Sequence, residues 1–361
     1  MDIPVAILDD GISSSLLRVP HVQSRSTFVT DDRDPCINGV THGSICAAII
    51  ETLHPGIPIH DIKVLTTRGS GYRDNLITGL EWCLHNNIKV VHLSLGSVEY
   101  HDALPLYRTT QKLIELNTVV VAAFSNRNIP TFPAIFPGVF GVRCCEHGLD
   151  KATYAYKEND WLRGSNAWVA SPPSAVSCIT GGIIQVLPSN SFAAPVITAS
   201  ILNILSRNPD VSHDKLQMFL REGSKAIGES ESRDTFNSFD WADSLCDSAV
   251  YVQISESNSI YIEDATKYLQ RNGYAAEAIG RETGIPFSLY FRPGSVSKNA
   301  VKGLSILYHV DVMFVVSSEP CDFFDAVSIE DRLFRVEDVE YQYTNGTELG
   351  LLITKVFAPE S

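Results

Sequence analysis

Short apolar strands alternate with amphipathic helices over the first 226 residues, and this alternation constrains the fold more than any other feature of the sequence. Residues 3–8 form a continuous apolar run that ends in Asp-Asp-Gly, as expected of a buried parallel strand leading into a functional loop. Residues 74–84 place their apolar side chains on one helix face. Strands that alternate with helices predict an α/β fold, with a doubly wound, mostly parallel sheet and helices on both faces. The other predicted elements are strands at 59–66, 90–94 and 119–123 and helices at 104–116, 190–204 and 213–222.

The character of the sequence changes after Ile227. The polar stretch at residues 228–234 is typical of a linker or an exposed loop. We therefore predict two domains, residues 1–244 and a small α+β domain at residues 245–361 that carries no recognisable chemical motif. The predicted elements of this second domain are strands at 251–254 and 260–262, a half-exposed strand at 308–314, and a helix that ends at Asn272-Gly273.

Composition excludes several classes of partner. Lys and Arg number 28 against 42 Asp and Glu, and the net charge of −14 argues against binding to nucleic acid or to an anionic membrane. No apolar run approaches the roughly 18 residues that a membrane helix needs. The eight cysteines include no CxxC pair and no metal-ligand spacing. We therefore predict reduced thiols, a cytoplasmic location, no metal and no other cofactor.

Three short motifs follow one another in the order acid, base, hydroxyl nucleophile. Asp9-Asp10-Gly11 ends the first strand, His42-Gly43 precedes a run of small and apolar residues, and Ser191 stands within Asn190-Ser191-Phe192-Ala193-Ala194-Pro195. This is one of the chain orders known for a serine-protease triad. On these motifs, residues 3–226 resemble the subtilisin-like serine proteases (subtilases). The resemblance implies a subtilisin-like fold for the first domain.

The resemblance also implies a role for each member of the triad. Asp9, rather than its neighbour Asp10, is expected to orient the histidine, because the family pattern is Asp-x-Gly and Gly11 completes it. His42 is expected to act as the general base and Ser191 as the nucleophile. A hydroxyl at the start of a helix lies near backbone N–H groups that favour a developing oxyanion.

Two further segments resemble functional parts of the family. Asn126 follows the strand predicted at 119–123 and corresponds to the side-chain donor to the oxyanion, although Ser125 stands where the family usually has Gly. Ser94-Leu95-Gly96 corresponds to the segment that pairs with extended substrate. Arg127 would lie near the pocket for the residue before the scissile bond, where a cation favours an acidic side chain. The alternative for Arg127 is a solvated surface residue.

The sequence also departs from the family pattern. Ser44, Asn190 and Phe192 stand where the family has Thr, Thr and Met. Because the first strand begins at Ile3, we expect neither a signal peptide nor an N-terminal prodomain. The carboxylates at residues 31–34 are expected to form a solvated turn rather than a calcium site.

These observations predict an intracellular serine endopeptidase that acts on a peptide or protein through an acyl-enzyme. A protease with broad specificity would be hazardous in the cytoplasm, so we expect a dedicated processing enzyme, for example one that removes the leader of a ribosomally made peptide. Residues 245–361 would then be a substrate-docking or regulatory module. Two alternatives remain: an acyl transferase or peptide macrocyclase on the same triad, and a catalytically silent peptide-binding scaffold. The intact set Asp9, His42, Asn126 and Ser191 argues against the silent scaffold.

Overall fold

The computed structural model divides into two compact units, Met1–Val98 with Asp102–Glu231, and Glu99–His101 with Ser232–Ser361. The structure describes residues 3–13, 17, 22–29, 40–99, 102–126, 131–145, 148–160, 165–226, 249–280, 291–293, 298, 301–302, 305, 310–317, 323–328 and 332–357. The carboxylates at 31–34, the polar stretch at 228–234 and Arg127 lie outside these ranges. None of the helices in the described ranges has the length and apolar composition that crossing a membrane requires.

The first unit is built on an eight-stranded sheet with the strand order β2-β3-β1-β4-β5-β6-β8-β7. Every neighbouring pair is parallel except β7 with β8. This confirms the predicted mostly parallel sheet. Its strands are β1 (Val5–Asp9), β2 (Val22–Thr27), β3 (Ile59–Lys63), β4 (Val90–Leu93), β5 (Val119–Ala123), β6 (Val139–Cys144), β7 (Tyr154–Asp160) and β8 (Ser165–Ala170).

Helices cover both faces of this sheet. Ile7 of β1 belongs to the core shared with the first and fourth helices, whereas Leu8 points to the opposite face. There Leu8 lies against Gly79 of the second helix, so closely that a Cβ at Gly79 would come within 3.0 Å of the Leu8 side chain. Within the described ranges, the helices of this unit are α1 (His42–Leu53), α2 (Arg73–His85), α3 (Ala103–Glu115), α4 (Asn190–Leu205) and α5 (His213–Glu222).

Helix α4 is the centre of the first unit. Its sequence is apolar on nearly all sides, and it packs against α1, α5 and the strands β4, β5, β6 and β8. A short antiparallel hairpin, β9 (Ala175–Ser177) with β10 (Ile183–Gln185), precedes it. Strands β1, β4 and β5 run parallel, so their carboxyl ends lie at one edge of the sheet, where parallel α/β folds place their ligands.

The second unit contains a seven-stranded sheet with the order β13-β12-β14-β11-β15-β16-β17. The strands from β13 to β15 are parallel, and β15, β16 and β17 are antiparallel neighbours. Two helices, α6 (Ile262–Arg271) and α7 (Gly346–Phe357), pack against each other. The strands are β11 (Val250–Ile254), β12 (Ala276–Gly280), β13 (Phe291–Pro293), β14 (Val312–Val316), β15 (Ala326–Ser328), β16 (Leu333–Val336) and β17 (Val339–Gln342).

Two predictions for the second unit are wrong. Residues 260–262 are not a strand, because a 3₁₀ turn at Glu256–Tyr261 leads directly into α6 at Ile262. Ser255 caps that turn by accepting a hydrogen bond from the Asn258 N–H at 3.3 Å. The strand near residue 312 is buried along its whole length rather than half-exposed, since β14 lies between β11 and β12 in the middle of the sheet.

Candidate active site

A buried carboxylate and a histidine meet at the carboxyl end of β1. Asp9 is the last residue of β1 and is 1% exposed, and His42 is the first residue of α1. His42 Nδ1 lies 2.9 Å from Asp9 Oδ2 and 3.0 Å from Asp9 Oδ1. The Asp10 N–H donates to Asp9 Oδ1 at 2.9 Å and fixes the carboxylate from the other side. The His42 side chain is 33% exposed, so its ring reaches solvent from this buried anchor.

Asp10 has a different position from Asp9. Its carboxylate accepts hydrogen bonds from the backbone N–H groups of His42, at 3.1 Å, and Gly43, at 2.9 Å, and thus caps the start of α1. Thr41 satisfies the next N–H, that of Ser44, at 3.1 Å. Burial and the neighbouring Asp9 carboxylate raise the pKa of Asp10 to about 6. Asp10 therefore holds the start of the helix that carries His42, while the adjacent Asp9 contacts the His42 ring.

Ser44, which departs from the family pattern, keeps a hydroxyl that is used. Ser44 is fully buried, and its Oγ accepts a hydrogen bond from the Ser13 N–H at 2.7 Å. The same oxygen lies 2.5 Å from Thr41 Oγ1, which in turn donates to the Gly11 carbonyl. These bonds tie α1 to the loop that follows β1.

Ser191 is the second residue of α4. The preceding Ser189 caps the helix by accepting a hydrogen bond from the Phe192 N–H at 3.3 Å, and its Oγ lies 3.1 Å from Ser191 Oγ. Among the described contacts, no hydrogen bond joins Ser191 Oγ to the His42 ring. The two motifs meet through Phe192, whose ring stacks on that of His42 with centroids 5.0 Å apart. Serine proteases without substrate often have a long nucleophile–base contact.

Asn126 is joined to the start of α4. Its Oδ1 accepts a hydrogen bond from the Asn190 N–H at 2.8 Å, which leaves the Nδ2 group of the exposed Asn126 beside the residue that precedes Ser191. Asn190 itself is 5% exposed. Its side chain donates to the Ser125 carbonyl at 2.8 Å and accepts from the Cys144 N–H at 2.7 Å. Asn190 thus holds the ends of β5 and β6 to the start of α4.

The segment Ser94-Leu95-Gly96 runs beyond the end of β4. Ser94 is 8% exposed, and its Oγ donates to the Ser191 carbonyl at 2.6 Å, so this hydroxyl points into the protein. Gly96 lies directly against Phe132, because a Cβ there would be 2.7 Å from the Phe132 carbonyl oxygen. Ser97 and Phe132 pair through two backbone hydrogen bonds of 2.9 and 2.8 Å. Leu95 and Gly96 are more exposed than Ser94. The extended segment at Phe132 packs against this stretch of backbone.

Cys46 lies below the histidine. Its Sγ is 4.0 Å from His42 Nδ1 and 3.4 Å from Ser94 Oγ, and the residue is fully buried. Burial raises the pKa of the Cys46 thiol. Burial opposes protonation of His42, whereas the Asp9 carboxylate beside Nδ1 favours it, and the net effect is a raised pKa of the imidazole. The ring is thus stabilised in the protonated form that a general base must reach.

Among the described residues, Asp9, His42 and Cys46 bring three potential metal-ligand atoms close together. Their ligand atoms all lie within 4.8 Å of one another. A metal ion would need the Cys46 thiolate and a bare His42 Nδ1. Burial disfavours the thiolate, and Asp9 already holds Nδ1. The donor set therefore fits a hydrogen-bonded acid and base better than a metal centre.

The sequence did not point to all of these residues. The capping role of Asp10, the Asn190 bridge and the position of Cys46 follow only from the structure. A signal for Asn190 does exist, since it is a polar residue directly before the nucleophile motif at the start of a long apolar helix. Arg127, the remaining predicted site residue, lies outside the described residues.

Comparison with known proteins agrees with this geometry. The sequence profile of the subtilase family (Peptidase_S8) matches residues 2–237. Subtilisin amylosacchariticus from Bacillus subtilis subsp. amylosacchariticus is 26% identical over 245 residues, or 63% of this chain and 62% of that protein. The subtilisin of Bacillus pumilus is also 26% identical, with 86% of its length covered. The crystal structure of a cold adapted subtilisin-like serine proteinase has a TM-score of 0.50 at 20% identity, over 63% of this chain and 84% of that one, which indicates a shared fold.

Proposed function

The chain belongs to the subtilase family, and on that premise we propose that it is a serine endopeptidase with Ser191 as nucleophile, His42 as general base and Asp9 as the orienting carboxylate. The observation that carries the proposal is the contact of 2.9 Å between Asp9 Oδ2 and His42 Nδ1. A carboxylate on Nδ1 selects the tautomer with a hydrogen on that nitrogen and leaves the Nε2 lone pair to accept a proton. The stack of Phe192 on His42 supports the pairing of this base with the adjacent Ser191.

The proposed reaction uses these groups in two symmetrical halves. Ser191 Oγ forms a bond to the scissile carbonyl carbon while its proton passes to His42 Nε2, and the carbonyl electron pair moves to the oxygen. The C–N bond then breaks, and His42 gives the proton to the leaving amine. Water repeats the sequence on the acyl-enzyme and regenerates Ser191. The hydroxyl must first turn from its contact with Ser189 Oγ towards His42.

Two donors would stabilise the oxyanion, the backbone N–H of Ser191 and the Nδ2 group of Asn126. The second donor is supported by the bond from the Asn190 N–H to Asn126 Oδ1, because an amide whose oxygen is fixed has its nitrogen fixed as well. The start of α4 adds the positive end of a helix dipole at the same place. A preorganised pair of donors costs little reorganisation in the transition state.

Labelling with a fluorophosphonate probe tests this assignment. The wild type should gain one adduct on Ser191, visible as a single mass shift, and the Ser191→Ala variant should gain none. Ser189→Ala is the matched control, because it removes a neighbouring hydroxyl and should leave one adduct. A folded wild type that gains no adduct would instead favour the catalytically silent scaffold.

We further propose a dedicated processing role, in which residues 245–361 dock the substrate or regulate access. A trimmed chain of residues 1–244 tests this, with fluorophosphonate labelling as the check that it still folds. Loss of substrate selection with labelling retained supports docking, whereas unchanged selection rejects it. Product mass in the same assay distinguishes hydrolysis from acyl transfer, since an amine that replaces water gives a linked or cyclic product.

Substrate would pair with the exposed backbone at Leu95 and Gly96, as an added strand. We propose that Arg127 favours an acidic residue before the scissile bond, since it directly follows Asn126. Profiling the Arg127→Glu variant with a peptide library tests this. A shift from acidic to basic preference is expected, and an unchanged preference would assign Arg127 to the solvated surface.

A reducing compartment, the cytoplasm, is the location we propose. Cys178 and the buried Cys46 and Cys83 form no disulfide. Secreted proteins commonly oxidise such thiols to disulfides. Protein purified under anaerobic conditions should titrate eight thiols once it is denatured without reductant, and a lower number would contradict the proposed location.

A further inference from the structure

The backbone carbonyl of Ser191 lacks the partner that a regular helix would give it four residues later. In an α-helix that carbonyl would accept a hydrogen bond from the N–H four residues later, but this position is Pro195, which has no N–H. A substitute comes from outside the helix. Ser94 Oγ donates to the Ser191 carbonyl at 2.6 Å, and Cys46 Sγ lies 3.8 Å from it.

His92 stands behind Ser94 on β4. It is fully buried, with its Nε2 2.8 Å from Ser94 Oγ and its Nδ1 2.8 Å from Thr198 Oγ1. Burial, with a small contribution from His42, lowers the pKa of His92 to about 4 and outweighs the opposing effect of Asp9. At neutral pH the ring is therefore neutral and carries a single N–H.

Counting hydrogens decides which nitrogen carries it. The Ser191 carbonyl can only accept, so the one hydrogen of the Ser94 hydroxyl is committed to it. Ser94 Oγ must then accept from His92, which places the hydrogen on Nε2. Nδ1 is left as an acceptor, and the Thr198 hydroxyl, on α4 one turn beyond the proline, donates to it at 2.8 Å in preference to the Ala194 carbonyl, which is 3.2 Å away. The direction of every bond from Thr198 to the Ser191 carbonyl follows from this count.

We propose that His92 is a positioning residue for the nucleophile. Through Ser94 it holds the Ser191 carbonyl, which receives no hydrogen bond from Pro195. It thereby fixes the helical turn that carries the Oγ and N–H of Ser191. The inference rests on the proposed function, in which Ser191 is the nucleophile. A hydroxyl that accepts from a buried N–H is a stronger donor than one that does not, so the histidine strengthens the bond from Ser94 to the carbonyl.

Two substitutions of His92 separate positioning from packing. His92→Met keeps a similar volume but removes the donor, and it should lower kcat and the fluorophosphonate labelling rate by about tenfold to a hundredfold with little change in KM. His92→Gln retains an amide N–H at comparable reach and should recover the rate to within about threefold. A role in packing alone would lower the Tm of both variants without changing the labelling rate of the folded fraction.

A double-variant cycle tests whether His92 acts through Ser94. If it does, His92→Met with Ser94→Ala should be no slower than Ser94→Ala alone, because both variants interrupt one chain of bonds. Multiplicative losses would overturn the inference. This cycle can be completed with His92→Leu if the methionine variant does not fold.

Pro195→Ala provides an independent test that leaves His92 in place. The substitution restores the helical N–H, so the Ser191 carbonyl regains a partner inside α4. In this background the loss of the Ser94 hydroxyl should slow labelling by less than half as much, on a logarithmic scale, as it does beside Pro195. An equal loss in both backgrounds would overturn the inference.

The failure of this inference is distinguishable from the failure of the proposed function. A wild type that does not label rejects the nucleophile itself, and the positioning role with it. A wild type that labels, together with a folded His92→Met variant that labels at the same rate, rejects the positioning role and leaves the proposed function standing.

Discussion

Phe192 stacks on His42, with the ring centroids 5.0 Å apart and the ring planes 27° from parallel. The residue after the proposed nucleophile thus contacts the proposed base directly, and it joins two motifs that are far apart in the sequence. An aromatic face attracts a cation, so the stack favours the protonated imidazole. It also limits rotation of the His42 imidazole ring, whose Nδ1 is held by Asp9.

Substitution of Phe192 should therefore shift the pH profile. Phe192→Leu removes the aromatic face, the pKa of His42 falls, and the acidic limb of kcat/KM moves to lower pH by roughly half a unit. The sign follows from the need for an unprotonated base, which is then reached at lower pH. Phe219→Leu on α5 is the matched control and should leave the limb in place. A limb that moves to higher pH would contradict the proposed contact.

Removal of the oxyanion donor should affect kcat rather than KM. For subtilisin, loss of the equivalent side chain is known to cost about 10²–10³ in kcat, and we expect the same range for Asn126→Ala. The reason is that the donor bonds most strongly to charge that exists only in the transition state. Asn86→Ala, an exposed asparagine beyond α2, is the control. A loss expressed mainly as a higher KM would assign Asn126 to ground-state binding.

Asn190 should matter for stability as well as rate. Asn190→Ala removes the hydrogen bond from the Cys144 N–H and the one to the Ser125 carbonyl, and each such bond contributes about 0.5–1.5 kcal/mol. We expect the free energy of unfolding to fall by about 2 kcal/mol or more, measured by denaturant titration. Asn208→Ala, at an exposed position after α4, should change it by less than about 0.5 kcal/mol. Equal effects of the two substitutions would remove Asn190 from this role.

Asp10 should make the protein less stable as the pH rises through about 6. Its folded-state pKa lies above the ordinary value of 3.8, so the native protein holds this proton more tightly than the unfolded chain does. The contribution of Asp10 is fully present below pH 3.8 and is lost as the pH passes about 6. Denaturant titrations between pH 4 and pH 7.5 check this, because the wild type should lose stability relative to Asp10→Asn over that window.

The exposed Asp74→Asn provides the reference for that experiment. It removes a surface carboxylate beside Arg73 instead of the buried carboxylate of Asp10. A wild type that gains stability relative to Asp10→Asn as the pH rises would show that the two bonds to the start of α1 outweigh burial.

The first unit could be predicted well because its signals are local and strong. The runs that became β1, β4 and β5 are apolar except for Asp9 and His92, since both faces of a parallel sheet are covered, and the helices between them have clear periodicity. Strands β2, β6, β7 and β8 of the same sheet were missed; β2 is a sheet edge with alternate residues exposed and few apolar side chains. Strand β12 was missed for a related reason: the buried Glu277 and a final glycine interrupt its apolar pattern.

The short segment at 260–262 shows where periodicity fails. Three apolar residues fit a strand or a helix equally well, and here the residues on either side of them determine the structure. Ser255 supplies a cap, while Ile262, Ala265 and Leu269 are buried on one face of α6. The spacing of those three positions was available in the sequence, but it only outweighs the strand signal when the cap is taken into account.

The candidate acid, base and nucleophile could be proposed from residue types and their order, but the residues that support them could not. No local pattern tells that Asp10 would cap α1 or that Asn190 would reach Cys144, because both depend on chain segments that meet only in the folded protein. Pro195 is the exception in principle. A proline four residues after a chosen serine already implies a free carbonyl, although only the fold reveals that Ser94 and His92 lie there to receive it.

The position of α4 late in the first unit means that the proposed active site is completed late during synthesis of the chain. Ser191 lies on a helix that must pack on β4, β5, β6 and β8, so the ribosome has made most of the first unit before the nucleophile exists and can be seated. A nascent chain that carries Asp9 and His42 but not yet Ser191 lacks the proposed nucleophile. Under the proposed function, residues 1–190 are therefore synthesised while no complete active site exists, and residues 192–361 follow the nucleophile.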